Sequence, residues 1–287
     1  MEIILPAINT DYTGYSSLVE IFAKINQCSV GEDLVINMPN WFAANMCSPF
    51  GAILNLAGRK VGSVRFNVGN PKVLEILKKN NFLPYICGVK RLVDIHDSTI
   101  IYRQFFRRED IFFKMYIESD LMRRIPPMSG ALNKEFKNSL FEIFENANIH
   151  SETNTIFVCG QVFHNKKNLD FSITDVGVGF HKNITQNTGL PLMPDEAIKW
   201  ALEGNTTTKK GPIPGGLGLK IIKEFINLNE GKMQIASDYG YWEFSNGEVK
   251  TETLKNRFPG SVVNIGINIS DSYTHRPKRE IQLEDIF

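Results

Sequence analysis

Short apolar segments alternate with helical patterns along the first third of the chain. Strands are predicted at residues 33–37 and 63–68, and helices are predicted to begin at Ser48-Pro49 and at Asn70-Pro71. Pro39 ends the first strand pattern, and Gly58 ends the first helical pattern. This order is typical of parallel strands joined by helical crossovers, so residues 1–95 are expected to form a small α/β unit.

The chain has 287 residues, which is more than one hydrophobic core usually organises. The sequence Pro126-Pro127-Met128-Ser129-Gly130 interrupts the regular patterns and marks a boundary. We therefore expect an α/β domain at 1–95, a helical connector at 96–128, a second domain at 129–272 and a charged tail at 273–287.

Composition narrows the class of partner. The formal charge is +1, so the strong basic field needed for sequence-independent nucleic-acid binding is missing, and nucleic acid is an unlikely partner. Residues 97–127 are rich in Arg, Lys, Phe and Tyr; a stacking surface for bases is one interpretation, and a helix pair with core aromatics is the preferred one.

The cysteines and the first residues bear on the compartment. Cys28, Cys47, Cys87 and Cys159 show no metal-binding spacing and are interpreted as reduced thiols. The chain has neither a basic start followed by an apolar stretch nor about 18 successive apolar residues. A cytoplasmic protein without a membrane span is expected.

Residues 134–150 show helical periodicity. Glu142, Asn146 and His150 follow one another at intervals of four residues, so they lie side by side on such a helix. A carboxylate and a carboxamide one turn apart can hold a water and a cation together, although such pairs are more often solvated surface.

Two glycine-rich segments follow. An alternating strand at 169–174 leads into Asp175-Val-Gly177-Val-Gly179, where glycines allow close approach of a flat ligand or form an ordinary turn. A dinucleotide-binding fingerprint is excluded because a third glycine is lacking and no helix is expected to begin at once. Further on, residues 211–218 lead into an apolar helix, whose free amides suit an anion such as phosphate.

These segments, in this order, resemble the motifs of the GHKL or Bergerat-fold ATPases, which include gyrase-type topoisomerases, histidine kinases and anti-sigma-factor kinases. Glu142 to Ser151 resembles the asparagine box, Asp175 to Gly179 the first glycine box and Gly216 to Leu219 the second. Gly260-Ser261 resembles the closing strand of the family. The resemblance covers residues 130–270, roughly half of the chain.

The resemblance implies a role for each matching residue. Asn146 would bind Mg²⁺, Asp175 would accept from the adenine amino group with the help of Ser261, and Gly177 and Gly179 would let the base approach. Glu142 would be the general base that activates water. The phosphates would be held by the amides of Gly216, Leu217, Gly218 and Leu219. The stretch between Gly179 and Gly216 would be a flexible lid, with Thr208 and Lys209 near the terminal phosphate.

Some positions depart from the family pattern. Ile149 stands where many histidine kinases have a lysine, and Pro214 replaces the first glycine of the second box. No histidine lies in a phosphoacceptor context, which argues against a histidine autokinase.

The first domain faintly resembles a STAS domain, the kind of protein that anti-sigma-factor kinases phosphorylate on serine. Ser48 falls near the phosphoacceptor position, although an N-cap before Pro49 is the favoured interpretation. The expected fold is α/β throughout: a STAS-like domain, then an α/β sandwich whose mixed sheet carries helices on one face.

The predicted function is that of a Mg²⁺-dependent ATP-binding protein, a slow ATPase in which ATP binding and lid closure act as a switch on a protein partner or homodimer. One alternative is a serine/threonine kinase acting on a STAS-type partner, and another is a sensor that binds ATP without hydrolysing it. Glu142 favours hydrolysis over sensing.

Overall fold

The first 87 residues are organised around a three-stranded parallel sheet. The computed structural model describes residues 1–203 and 217–270, with the side chains of 148–154 and 217 left out. The elements of this part are β1 (Glu2–Ile4), α1 (Tyr12–Ile25), β2 (Leu34–Asn37), α2 (Cys47–Ala57), β3 (Val64–Asn67), α3 (Pro71–Lys79) and α4 (Phe82–Cys87). The sheet order is β1-β2-β3. The prediction of an α/β unit with parallel strands is confirmed.

Side chains at the helix starts explain why these helices begin where they do. Asp11 accepts from the Gly14 N–H and starts α1, and Asn70 accepts from the Lys72 N–H and starts α3, whose first residue is Pro71. Both satisfy backbone donors that a helix leaves free at its start. The predicted N-cap at Ser48 is wrong, because the N-cap of α2 is Met46, two residues earlier, and Ser48 lies within the first turn of the helix.

The remaining strands form one antiparallel sheet of five. In chain order the elements are β4 (Thr99–Phe106), α5 (Asp110–Tyr116), α6 (Gly130–His150), β5 (Ser151–Phe163), β6 (Asn168–Gly177), α7 (Gly179–Thr188), α8 (Pro194–Leu202), α9 (Leu217–Leu228), β7 (Lys232–Ser245) and β8 (Glu248–Asn268). The strand order is β4-β5-β6-β8-β7, and each neighbouring pair is antiparallel. The predicted mixed sheet is therefore wrong, because all four strand pairs of this sheet are antiparallel.

Helices cover this sheet on both faces, which corrects the expectation of a single covered face. Phe136 and Phe144 of α6 and Phe225 of α9 share one core with Ile173 and Ile265. On the opposite face, the buried residues of α1 and α2 share a core with sheet residues that include Phe157 and Val262. The first 87 residues therefore pack directly on the second sheet.

Polar side chains join α2 to the sheet. Asn45, in the turn before α2, donates to the Asn264 carboxamide at 3.0 Å and to Ser172 Oγ at 3.2 Å. Ser48 donates to the Phe157 carbonyl at 2.9 Å and lies 2.7 Å from Thr174 Oγ1. We call Asn45, Ser48, Ser172, Thr174 and Asn264 the polar seam. All five are fully buried, so their mutual bonds offset the loss of water.

The segment 96–128, predicted to be a helical connector, begins with a strand of the second sheet. β4 pairs with β5 at the sheet edge, and α5 follows it. The preferred interpretation of the aromatics as core residues is confirmed for Phe105, Phe113 and Tyr116, which are buried. The Phe113 ring stacks on Phe144 of α6 with centroids 4.2 Å apart, which ties this segment to the sheet domain.

Within residues 1–203 and 217–270, no helix is both long enough and apolar enough to cross a membrane. The expected charged tail at 273–287 lies outside the described residues.

Because the first core includes residues of the second sheet, we expect the protein to unfold in one cooperative transition. Phe50 packs on Phe82 with ring centroids 5.8 Å apart and is fully buried. Phe50→Ala should lower the free energy of unfolding by roughly 3–5 kcal/mol and keep a single calorimetric transition.

The matched control is Ile4→Ala, because Ile4 is 76% exposed and its loss should change stability by less than about 0.5 kcal/mol. Two separate transitions in Phe50→Ala would show that the first 87 residues unfold on their own, contrary to this expectation.

Candidate functional site

One pocket collects residues from distant parts of the chain. It lies between α6, β6, the start of α7, the first turn of α9 and β8. Its lining consists of Ile143, Asn146, Ala147, Ile173, Asp175, Gly179, Phe180, Asn183, Leu219, Ser261 and Val263. Five of the residues singled out from the sequence, namely Asn146, Asp175, Gly179, Leu219 and Ser261, therefore meet at one place.

Asp175 lies at the end of β6 and is reached from the pocket, while protein atoms surround its carboxyl group. Strand alternation directs Asp175 to the pocket side and its neighbour Thr174 to the polar seam. The Gly177 N–H donates to Asp175 Oδ1 at 2.7 Å, and Ser261 is its register partner on β8. Burial raises the pKa of the Asp175 carboxyl to about 7, against the hydrogen bonds from Gly177 and Ser261, which lower it.

Two glycines let the backbone close around Asp175. Gly179 has a φ of +78°, and a Cβ there would stand 2.8 Å from Ser237 Oγ. Gly260 has a φ of +118°, and a Cβ there would stand 2.2 Å from the Asp175 carbonyl oxygen. Only glycine fits either position, so these residues are required to shape the pocket.

A helix begins directly at Gly179, contrary to the expectation that none starts there. The segment predicted to be a flexible lid holds α7 and α8 up to residue 202, and Thr208, Lys209 and Gly216 lie outside the described residues. The helical pattern of α7 is hard to see because Ile184 is its one buried large apolar residue. Tertiary contacts hold the helix instead: the Phe180 N–H donates to Ser237 Oγ at 2.9 Å.

His181 ties α7 to its surroundings. Its Nε2 lies 2.9 Å from the Leu192 carbonyl oxygen, and its Nδ1 lies 3.3 Å from the Asp238 carboxylate. Arg257 donates to the same carboxylate at 3.1 Å. The start of the predicted lid is thus joined to the strand pair β7–β8 beside the pocket.

Glu142 and Asn146 lie one turn apart on α6, as the spacing predicted. Asn146 lines the pocket. Glu142 Oε2 accepts the Gly218 N–H at 2.9 Å, at the beginning of α9. A Cβ at Gly218 would stand 2.8 Å from that same oxygen, so a larger residue here would displace the Glu142 carboxylate from its present position. The structure therefore brings Glu142 and the second glycine segment together through a backbone amide.

Sequence reasoning missed two residues that line the pocket, Phe180 and Asn183, and one beside it, Ser237. Ser237 donates to the Gly260 carbonyl at 2.9 Å, and its Oγ lies 3.2 Å from that of Ser261. Phe180 and Asn183 reach the pocket from α7. Nothing in the local sequence indicated these three, because their positions depend on the register of β7 with β8 and on a helix that was not predicted.

Ser48 has no access to solvent. It is fully buried in the polar seam, with its hydroxyl on Phe157 and Thr174. A kinase would have to displace α2 from the sheet to reach this hydroxyl.

Within residues 1–203 and 217–270, no group of three or more His, Cys, Asp or Glu side chains is arranged to hold a metal ion. No protein-family model matches the chain, and no curated protein is significantly similar to it. The resemblance to GHKL ATPases therefore rests on the sequence motifs alone.

The raised pKa of Asp175 predicts a specific dependence of stability on pH. In the unfolded chain an Asp has a pKa near 3.9, so between about pH 4 and 7 only the unfolded state is ionised, and the free energy of unfolding falls as pH rises. Asp175→Asn has no ionisable group at this position, so this fall in the free energy of unfolding should be absent from the variant. Its stability relative to the original protein should rise by roughly 4 kcal/mol between pH 4 and 8, measured by urea unfolding.

The control is Glu248→Gln, which removes an exposed carboxylate at the first residue of β8. If the stability difference between Asp175→Asn and the original protein is the same at both pH values, the carboxyl group is not held in its uncharged form.

Proposed function

We propose that the protein binds ATP with Mg²⁺ in this pocket and hydrolyses it slowly, with ATP binding acting as a conformational switch. The observation that carries the proposal is the meeting of Asn146, Asp175, Ser261 and the start of α9 around one cavity. Residues of these kinds supply what adenine, a metal ion and phosphates each need. They come from segments as far apart as 115 residues, so chance adjacency in sequence does not explain them.

The part of the pocket proposed to bind adenine contains a polar pair, Asp175 and Ser261, surrounded by apolar side chains. Asp175 accepts hydrogen bonds, and Ser261 can donate or accept beside it, which suits the amino group and ring nitrogens of a purine. Ile173 and Val263 supply apolar surface on the neighbouring strands β6 and β8. A donor at the carboxylate favours its charged form, so binding of the base would lower the pKa of Asp175 and release a proton at pH values below about 7.

The part of the pocket proposed to bind the phosphates is formed by the start of α9 and by Asn146. Helix starts present free amides and a positive dipole end to an anion. Mg²⁺ prefers oxygen ligands and commonly takes few from the protein, so the Asn146 carboxamide oxygen with phosphate oxygens suits it. When bound, the ion would neutralise charge on the phosphates.

Glu142 now holds the amide of Gly218, to which the family resemblance assigns a phosphate. A phosphate oxygen at this N–H would compete with the carboxylate for the donor and repel its negative charge, so phosphate binding would release the carboxylate from this amide. Released, Glu142 stands one turn from Asn146 and can take a proton from a water molecule that attacks the terminal phosphorus. The bond from that phosphorus to the bridging oxygen breaks, leaving ADP and inorganic phosphate.

The binding part of the proposal is tested with Asp175→Ala. Loss of a charged acceptor for the adenine amino group should cost about 1.5–3 kcal/mol, which is at least roughly a tenfold weaker Kd for ATP by calorimetric titration. Asn146→Ala should abolish the dependence of binding on Mg²⁺.

Asp195→Ala is the matched control, since this carboxylate belongs to α8 and does not line the pocket. Unchanged affinity in a folded Asp175→Ala variant would remove the adenine assignment, and equal Mg²⁺ dependence in Asn146→Ala would place the ion elsewhere.

The catalytic part is tested with Glu142→Gln, which keeps the size of the side chain and removes the base. Release of phosphate should fall by roughly 10²–10⁴-fold while ATP remains bound. Glu145→Gln is the matched control, because this neighbouring carboxylate on α6 is exposed and does not line the pocket. Phosphate is measured by a coupled assay.

Label from the terminal phosphate is followed on protein in the same experiment. Labelled protein without free phosphate would favour the kinase alternative, with an acceptor other than the buried Ser48. Bound ATP without either product would favour the sensor, and undiminished hydrolysis in Glu142→Gln would remove the assignment of the base.

A further inference from the structure

An apolar groove runs along the outer edge of the parallel sheet, and none of its lining residues lines the pocket described above. Val64 and Phe66 of β3 form one wall, and Leu74 of α3, Leu83 of α4 and Val89 form the other. Cys87, at the end of α4, also lines it and is exposed. The groove is therefore an open apolar surface beside a sheet edge.

The backbone of β3 is available for pairing at this edge. β3 has one strand neighbour among the described strands, β2. The Leu34 N–H donates to the Ser63 carbonyl at 2.8 Å and the Met38 N–H to the Asn67 carbonyl at 2.8 Å, so odd-numbered residues of β3 face β2. Val64 and Phe66 then turn their N–H and C=O groups outward, where an added strand would pair with them.

The charges around the groove have one sign. Arg65 and Lys78 stand among its lining residues, and no acidic side chain of the described residues lines it. An occupant with apolar side chains and carboxylates would fill the walls and neutralise the two cations.

We propose that residues 280–287 of the same chain occupy this groove as an added strand. Their sequence is Glu280-Ile-Gln-Leu-Glu-Asp-Ile-Phe287. It combines four large apolar residues with three acidic ones and no basic one, which is the composition that the groove and its cations require. The inference does not depend on nucleotide binding.

The segment can reach the groove. At the end of β8 the Ile269 N–H donates to the Lys167 carbonyl at 2.9 Å, and the nearby Phe163 ring lies 6.4 Å from Trp41. Trp41 follows Asn40, whose carbonyl accepts a hydrogen bond from the Asn70 side chain at 3.2 Å. Asn70 lies two residues beyond Val68, which also lines the groove.

A short series of contacts therefore links the last described residues to one end of the groove. Residues 271–279, which connect β8 to the proposed strand, span up to about 32 Å when extended. At such a tether length the local concentration of the segment is in the millimolar range, which makes weak pairing effective.

Cys87 provides the test, because the other three cysteines are buried. Its labelling by N-ethylmaleimide is followed by mass spectrometry of the intact protein. Leu283→Asp should speed labelling at least about fivefold by releasing the segment, and Gln282→Asp, which adds the same charge one residue away, should not. Arg65→Glu should also speed labelling, although a negative charge near a thiol by itself slows it. Arg59→Glu is its control, an exposed arginine at the end of α2 that does not line the groove.

A synthetic peptide of residues 278–287 should slow labelling of the Leu283→Asp variant again. Equal labelling rates in the original protein and Leu283→Asp would overturn the proposal. Protection that grows with protein concentration would also overturn it, because the segment would then come from another copy of the chain.

Discussion

The polar seam is the contact on which the arrangement of both halves depends. A buried donor or acceptor left without a partner costs about 1–3 kcal/mol, so Asn45 and Ser48 can be buried against the sheet only where Ser172, Thr174 and Asn264 meet them. Apolar surface alone would allow α2 to slide on the sheet. The seam fixes one position, and it does so on β6, the strand that carries Asp175. The back of the candidate site is thereby set by residues more than 100 positions earlier in the chain.

The sequence predicted the local elements better than their surroundings. The crossover pattern at 33–79 was readable because each strand and helix carries its own signals, such as Asn70-Pro71 before α3. The alternation of β6 was readable too, but Ser172 and Thr174 have the polarity of a solvent-facing edge. Their burial depends on the partners that α2 brings, which no pattern within the strand contains. For this reason the expectation that helices cover only one face of the second sheet was wrong.

Sequence reasoning likewise found one part of the candidate site and missed another. Asp175, Asn146, Gly179 and Ser261 belong to motifs whose spacing is local, and all four line the pocket. Ser237 comes to lie beside the pocket through the register of β7 on β8, where its hydroxyl accepts the Phe180 N–H. Phe180 lines the pocket from a helix that is held by tertiary contacts rather than by an apolar stripe. Such residues are invisible to reasoning along the chain. The contact between Glu142 and the Gly218 amide belongs with them, because it joins segments 76 residues apart.

The core shared between the first unit and the distant strand β8 also bears on how the chain folds during synthesis. Tyr15 and Phe50 bury their rings in a cluster that includes Val262, so the first unit cannot complete its core until β8 has left the ribosome. Translation adds about 5–20 residues per second. The 167 residues from 95 to 262 thus impose a delay of roughly ten to thirty seconds during which this apolar surface is exposed, a period in which a nascent chain would benefit from a chaperone.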